Sequence, residues 1–397
     1  MAAPTIMLSC GEPSGDLYAG ALTRELRRLA PGARVFGYGS QALADVGGEL
    51  IGDFRGLSVT GITEVLRVLP RTYAMYRRLV AAARERRPDV FVAIDFPDFN
   101  FRLLASIRRL GIPIVYYISP QLWAWRAGRM ATMKRAVDRV LVIFPFEEEI
   151  YRREGVDVRF VGHPLVELIP PPGDRAAFLR EIGLDPAAPT VALLPGSRHN
   201  EVARILPTLA RAVPRIAARV PGVQFVVAGA PNLGAGDFGA LALAAPHRPV
   251  LVHARADDVL DAADVVVTAS GTATVQAALH EKPMVIVYRV SPMSYRLGRR
   301  FVRVSTFGMV NLIAGETVVP ELIQDDCTPE AVAEQAVAFL LDRVRADTAR
   351  AALREVKRRL GGPGASARAA EAVLDVAFRS GGVPAPTSGP SPISPGN

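Results

Sequence analysis

The sequence predicts an α/β protein made of two doubly wound halves that face each other across a cleft. Three observations carry this. Short β-branched runs alternate with helical patterns along most of the chain, the mark of parallel α/β layers. The 397 residues exceed what one hydrophobic core usually serves, so two domains are expected. A stiff, turn-rich stretch at 169–174, Ile-Pro-Pro-Pro-Gly-Asp, separates the strand candidates into two series.

The first series lies at 5–9, 35–38, 90–94, 114–118, 139–143 and 158–161, and assigns 1–168 to a first Rossmann-like domain. The second lies at 191–194, 224–228, 250–253, 265–268 and 284–288, and assigns 175–343 to another. Beyond Pro329 the pattern turns helical, over 331–341, 347–360 and 365–378, and the helices within 344–379 are expected to pack back on the first domain. The last stretch, 380–397, is rich in Ser, Gly and Pro without a charged side chain, so disorder is expected there. Ligands of such sheets gather at the C-terminal ends of the strands.

Composition narrows the class. The chain is 50% hydrophobic and 22% charged, as globular proteins are. No apolar run reaches about 18 residues, so no transmembrane helix is expected, and the opening residues read as a first strand, not a signal peptide. Cys10 and Cys327 are the only cysteines, which suits a cytosolic setting. The net charge of +8 comes almost wholly from dispersed arginine, interleaved with 39 acids and free of RNA-stacking motifs. Nucleic acid is therefore not the expected partner; an anionic membrane or a phosphorylated substrate fits the same charge.

Three strand-to-helix turns can offer backbone N–H groups to an anion: SCGEPSGD at 9–16, LPGSR at 194–198 and ASGTAT at 269–274. Each alone is equally an ordinary capped turn. Two of them fall in the second half, however, and Arg198 adds the permanent charge that a diphosphate needs. Ser197, Ser270, Gly271, Thr272 and Thr274 are the donors and close-approach positions of that candidate site. In the first half Glu12, Ser14, Gly15 and Asp16 form the corresponding cleft-side turn. Asp95 and Asp98, in DFPDFN after an apolar strand, stand where a base that deprotonates a hydroxyl is wanted. Either could instead cap the helix that follows. Trp123 and Trp125, with Arg126, place both tryptophans in one loop, suited to a sugar face or an acyl chain, or to plain burial. His163, in Gly-His-Pro, reads as a hinge or cleft-lining residue. There is no Asp-x-Asp, HExxH or CxxC, and the five histidines are scattered, so neither a metal nor another cofactor is expected.

Taken in order, GEPSGD, GITEVL, DFPDFN, YYISPQLWAWR, GHPL, LPGSRHNEV and SGTATVQAAL, followed by NLIAG and PELI, resemble lipid-A-disaccharide synthases over roughly residues 5–340. The resemblance implies the GT-B architecture: acceptor in the first domain, UDP-sugar in the second, and a last helix that crosses back. It implies UDP-2,3-diacylglucosamine as donor and 2,3-diacylglucosamine 1-phosphate as acceptor, joined with inversion into a β-1,6 disaccharide 1-phosphate plus UDP. It aligns Asp98 with the base, and Arg198, the Ser270–Thr274 turn and Asn311 with the UDP site, with Glu321 as a candidate ribose contact. Gln276 departs from the pattern, which leads to an expected Glu; its amide can still bond a hydroxyl.

Diacylated substrates must be met at a membrane, and a cytoplasmic protein peripheral to the inner face of the cytoplasmic membrane is expected. Apolar residues recur at helical spacing over 62–80, with Leu66, Val68, Leu69 and Met75 as the candidate lipid-facing set and Pro70 dividing the segment into two helices. Arg299 and Arg300, among basic residues on one face of 294–304, are candidates for an anionic leaflet. The bland alternative is a core helix and a solvated basic face. The sequence leaves the oligomeric state open, a homodimer included.

Overall fold

The computed structural model describes residues 3–54, 62–120, 122, 128–290 and 308–380. Two wholly parallel sheets make its frame. The first contains β1 (Thr5–Ser9), β2 (Arg34–Gly39), β3 (Glu49–Asp53), β4 (Val90–Ile94), β5 (Ile114–Tyr117), β6 (Arg139–Val142) and β7 (Val158–Phe160), in the order β3-β2-β1-β4-β5-β6-β7. The second contains β8 (Thr190–Leu194), β9 (Gln224–Gly229), β10 (Val250–His253), β11 (Val265–Ala269), β12 (Met284–Tyr288) and β13 (Glu321–Ile323), in the order β10-β9-β8-β11-β12-β13.

Helices cover both faces, which is why the central strands read as unbroken apolar runs: every residue of β4 and β8 is buried. In the first half these are α1 (Pro13–Leu29), α2 (Gln41–Asp45), α3 (Ile62–Arg86), α4 (Pro97–Arg109), α5 (Gly128–Ala136), α6 (Pro145–Arg153) and α7 (Leu165–Leu168). The second half adds α8 (Arg175–Glu181), α9 (His199–Ala217), α10 (Ala256–Ala262) and α11 (Thr272–Leu279), then further helices to Ser380. The sequence reading overlooked β3 and β13. Both are short edge strands, and Gly52 and the acidic ends of β3 blur any alternation.

Two expectations for 62–80 need correction. Helix α3 continues through Pro70 as one helix, because the proline removes a single ladder bond that the flanking turns outlast. Met75 is buried in the first domain's core, its thioether lying where a side chain on Gly52 would sit, so it does not face lipid. Leu79 is buried with it, and Tyr76 bonds Ser106. Leu66, Val68 and Leu69, together with Arg299 and Arg300, lie outside the residues whose side chains are described, and 381–397 are likewise outside the description.

The end of the chain divides its loyalties. The helix Arg343–Arg359 was expected on the first half but is tied to the second: Lys357 reaches Glu281 at 3.0 Å, and Arg359 donates to the carbonyls of Ile313 and Ala314. Only the terminal helix, Ala365–Ser380, returns to the first half. Its alanine-rich face, with Ala369 and Val373 fully buried, joins Leu22, Ile94 and Tyr117 in a single apolar cluster that also includes Ala192 and Val266 of the second sheet. Glu167 caps this helix by accepting from the backbone N–H groups of Gly364 (2.6 Å) and Ser366 (2.8 Å). Arg139 pins its far end through Asp375 at 3.0 Å. The loss of backbone entropy at that crossing is offset by caps and ion pairs as well as burial.

Candidate functional site

Each sheet changes winding direction once, between β1 and β4 in the first and between β8 and β11 in the second. Loops that leave adjacent strands diverge there and open a crevice at the strands' C-terminal ends. Glu12 follows β1, Asp95 and Asp98 follow β4, Ser197 and Arg198 follow β8, and Ser270 to Thr272 follow β11. The two crevices meet. Nη2 of Arg198 donates to Oε2 of Glu12 at 2.8 Å, across 186 positions of sequence.

The loop after β4 is held in an uncommon shape. Asp95 and Phe96 have φ of 45° and 47°, in the left-handed region that side chains rarely adopt. A buried network keeps them there: Asn100 Nδ2 and the Tyr116 hydroxyl each donate to the Asp95 carbonyl at 2.8 Å, and Ser9 Oγ donates to Asn100 Oδ1 at 2.7 Å. The Phe96 ring covers Gly11 so closely that a Cβ there would lie 2.4 Å from it, which explains a glycine directly before Glu12.

The two carboxylates of this loop differ. Asp95 is half-buried, and its carboxyl is pushed up to about 7, by burial first and by Glu12 second, against the Phe96 N–H and Arg198, which draw it down. Asp98 begins α4; it is 71% exposed and paired to Arg129 at 2.5 Å. Arg129 in turn lies 4.9 Å over the Phe101 ring.

Because burial holds Asp95 above the range of an unfolded Asp, it favours the fold while protonated, and that contribution fades as pH rises from about 4 through 7. Asp95→Asn stays neutral throughout, so its melting temperature should climb relative to the parent between pH 5 and pH 8. A constant difference over that interval would place the ionisation elsewhere.

On the facing side, Arg198 is the N-cap of α9, and Glu201 three residues on accepts from Arg198 Nη1 (3.0 Å) and from the Ser197 N–H (3.1 Å). Gly196, at φ 125°, makes the turn that brings these groups together. The second turn places Gly271 and Thr272 exposed at the start of α11, with Ser270 half-buried beside them. The first-turn N–H groups of α9 and α11 and the Arg198 guanidinium are thus gathered at one crevice, an arrangement suited to a diphosphate.

Comparison with known proteins decides the family. The family model for lipid-A-disaccharide synthetase matches residues 6–376. The lipid-A-disaccharide synthase of Myxococcus xanthus is 45% identical over 373 residues, covering 94% of this chain and 97% of that protein. That of Geobacter sulfurreducens is 41% identical over 374 residues, covering 94% and 97%. The chain belongs to the lipid-A-disaccharide synthetase family. Solved structures support the fold at much lower identity. The S. aureus MnaA–UDP co-structure superposes with a TM-score of 0.68 at 12% identity, over 95% of this chain and 96% of that one. UDP-GlcNAc 2-epimerase from Neisseria meningitidis, bound to UDP-GlcNAc, gives 0.65 at 11%, over 94% and 100%. The GT-B architecture expected of a synthetase-family chain is the one observed.

Several synthetase-family motif residues turn out to build the site instead of lining it. Asp16 is buried and accepts from the Ser40 and Ala42 N–H groups at 2.6 and 2.8 Å, fixing the start of α2. Gly15 packs on Cys10 and the Ile94 carbonyl, while Glu12 and Ser14 stay partly open. Thr274 is buried with its hydroxyl donated to the Gly271 carbonyl at 2.7 Å, so it shapes the turn and is not an open ligand group. Asn311 is buried and saturated: its amide donates to Val319 O and Glu321 Oε1, and its oxygen accepts from Val318 and Val319. It anchors Glu321, which itself stays partly exposed. Gln276 donates to Asp257 at 2.6 Å, and the same carboxylate bonds His280, so the amide is engaged with α10. His163 is buried between Tyr18 and Phe144, its pKa lowered to about 3 by burial. It is a neutral, buried packing residue, not part of an open cleft wall. Trp123, Trp125 and Arg126 lie outside the described residues.

Sequence reasoning missed Glu201, Arg129 and the Ser9–Asn100–Tyr116 network. Glu201 did carry a signal, since an acid three residues after an N-cap is a capping spacing. Of the others, Arg129 with Asp98, Ser9 with Asn100 and Tyr116 with Asp95 pair across 31, 91 and 21 positions and leave no local trace.

Proposed function

We propose that this chain transfers the 2,3-diacylglucosaminyl unit of its UDP derivative to the 6-hydroxyl of 2,3-diacylglucosamine 1-phosphate, giving the β-1,6 lipid A disaccharide 1-phosphate and UDP. It is a glycosyltransferase of lipid A biosynthesis. The observation that carries the reading is the contact of the two switch-point crevices, carboxylates on one side and Arg198 with two helix N-termini on the other. A donor diphosphate held by Arg198, Ser197 and the Gly271–Thr272 turn points its anomeric carbon at the first-half loops. Asp98 takes the acceptor proton as the oxygen attacks from the face opposite UDP. Asp95 is less suited, because a diphosphate on Arg198 would remove the cation that draws its pKa down and leave it protonated. Charge that grows on the leaving diphosphate is met by Arg198 and the helix termini, already in place before the reaction, while the closed cleft aligns the two sugars.

Mass spectrometry of products from the two acylated substrates tests the reaction. A second reading, a UDP-sugar epimerase on the same scaffold, has the fold likeness in its favour; conversion of UDP-GlcNAc without acceptor would establish it in place of the first.

We also assign the membrane encounter to the first turns of α3, where Leu66, Val68 and Leu69 cluster in sequence ahead of Pro70. Among the described residues no helix is long and apolar enough to cross a membrane. Under this assignment Val68→Ser with Leu69→Ser should reduce flotation with anionic liposomes and leave the melting temperature within about 1–2 °C, since changes away from a packed core cost little. Unchanged flotation, or a large loss of stability, would return this segment to the core.

A further inference from the structure

Three carboxylates surround one guanidinium where the crevices meet. Glu201 belongs to the same loop as Arg198 and also holds the Ser197 N–H, so it is part of the loop's own frame. Asp95 stands behind, close enough to feel both Glu12 and Arg198. Glu12 is the third, and its behaviour is odd for its place. It is the N-cap residue of α1, yet its side chain makes no capping bond there. Instead it extends over the cleft to Arg198 Nη2 at 2.8 Å, with a third of its side chain open to solvent. A site with this excess of negative charge repels a diphosphate. The anion can take Arg198 only if a carboxylate leaves, and Glu12 is the one not needed to hold the loop.

We propose that Glu12 is an exchangeable counter-ion: it holds Arg198 across the cleft while the donor site is empty and is displaced by the donor's diphosphate, so that donor entry undoes this bridge between the two halves. The proposal rests on Arg198 as the diphosphate ligand. It makes Glu12 a positioning residue that keeps the guanidinium extended and ready, at the expense of donor affinity. Exchange also sets free a carboxylate beside the acceptor-side loops at the moment the donor is in place.

Calorimetric titration of the full chain with UDP tests this. Glu12→Gln removes the competing charge, so UDP should bind about fivefold more tightly than to the parent, the range expected for a partly exposed ion pair. The gain should vanish when Arg198→Ala is added, because Glu12 acts only through that guanidinium. A purely structural role for Glu12 would weaken binding or leave it unchanged, and either result overturns the proposal, as does a gain that persists without Arg198. Glu12→Ala serves as the second variant if the glutamine itself bonds Arg198. If tightening follows Glu201→Gln and not Glu12→Gln, the wrong carboxylate has been chosen. A parent chain that binds no UDP would instead refute the donor-site reading on which the proposal stands.

Discussion

Asp98→Asn should lower turnover by about 10²–10⁴-fold and leave UDP affinity close to that of the parent. A positioned general base contributes about that much, and the substitution keeps shape while removing the ability to take a proton. The residue lies on the first-half side, in the opening turn of α4, whereas Arg198 stands on the second-half side, at the start of α9. Its pairing with Arg129 holds one oxygen in place and is retained in part by the amide. Single-turnover rates with the acylated substrates, beside UDP titration of the same preparation, give both readouts. If Asp98→Asn stays active while Asp95→Asn is dead, the base is the deeper carboxylate, and the rate should then rise as pH rises through about 7, where that carboxyl loses its proton.

Arg198→Ala should weaken UDP binding and turnover together, the second by about 10²–10³-fold, the loss typical when a preorganised group that meets developing charge is removed. The reason lies in the placement of the guanidinium at the N-cap of α9: under the proposed function it would meet the diphosphate in the ground state and more strongly as charge accumulates on departure. The change also cuts the bridge to Glu12, so a lower melting temperature is expected, though a modest one for an ion pair that is 48% exposed on the arginine side. Arg198→Lys distinguishes charge from geometry. A lysine keeps the charge but cannot hold Glu12, Glu201 and a phosphate at once in the fork that a guanidinium offers. Unchanged UDP affinity in Arg198→Ala would move the diphosphate elsewhere.

Much of this arrangement was legible in the sequence because the central strands are covered on both faces and so appear as apolar runs ended by small residues. β4 ends in DFPDFN, β8 in PGSR and β11 in SGTAT, and each motif sits at a sheet crossing point. What stayed hidden shares one cause: side-chain partners are set by distance in space, not spacing in sequence. Asn311, Thr274 and Asp16 have the residue types of ligand groups, yet each is consumed by backbone groups nearby. Met75 fits a lipid-facing stripe by period alone; only the absence of a side chain at Gly52 gives it room inside. Edge strands β3 and β13 have one uncovered side and too few residues for a pattern to rise above their polar ends.

The return of the terminal helix has a consequence for how the molecule is made. The apolar groove that receives Ala369 and Val373 is formed by residues between Ile6 and Tyr117, which leave the ribosome long before residue 365 does. Through most of synthesis the first half therefore presents an open, oily trench, ready to associate with neighbours or to engage chaperones. The trench is closed only once the helix Ala365–Ser380 has emerged, and its docking completes an apolar cluster that includes residues of both sheets. A chain cut before Ala365 keeps Glu12, Asp95, Asp98 and Arg198 but leaves this trench uncovered, and it should aggregate more readily than the parent.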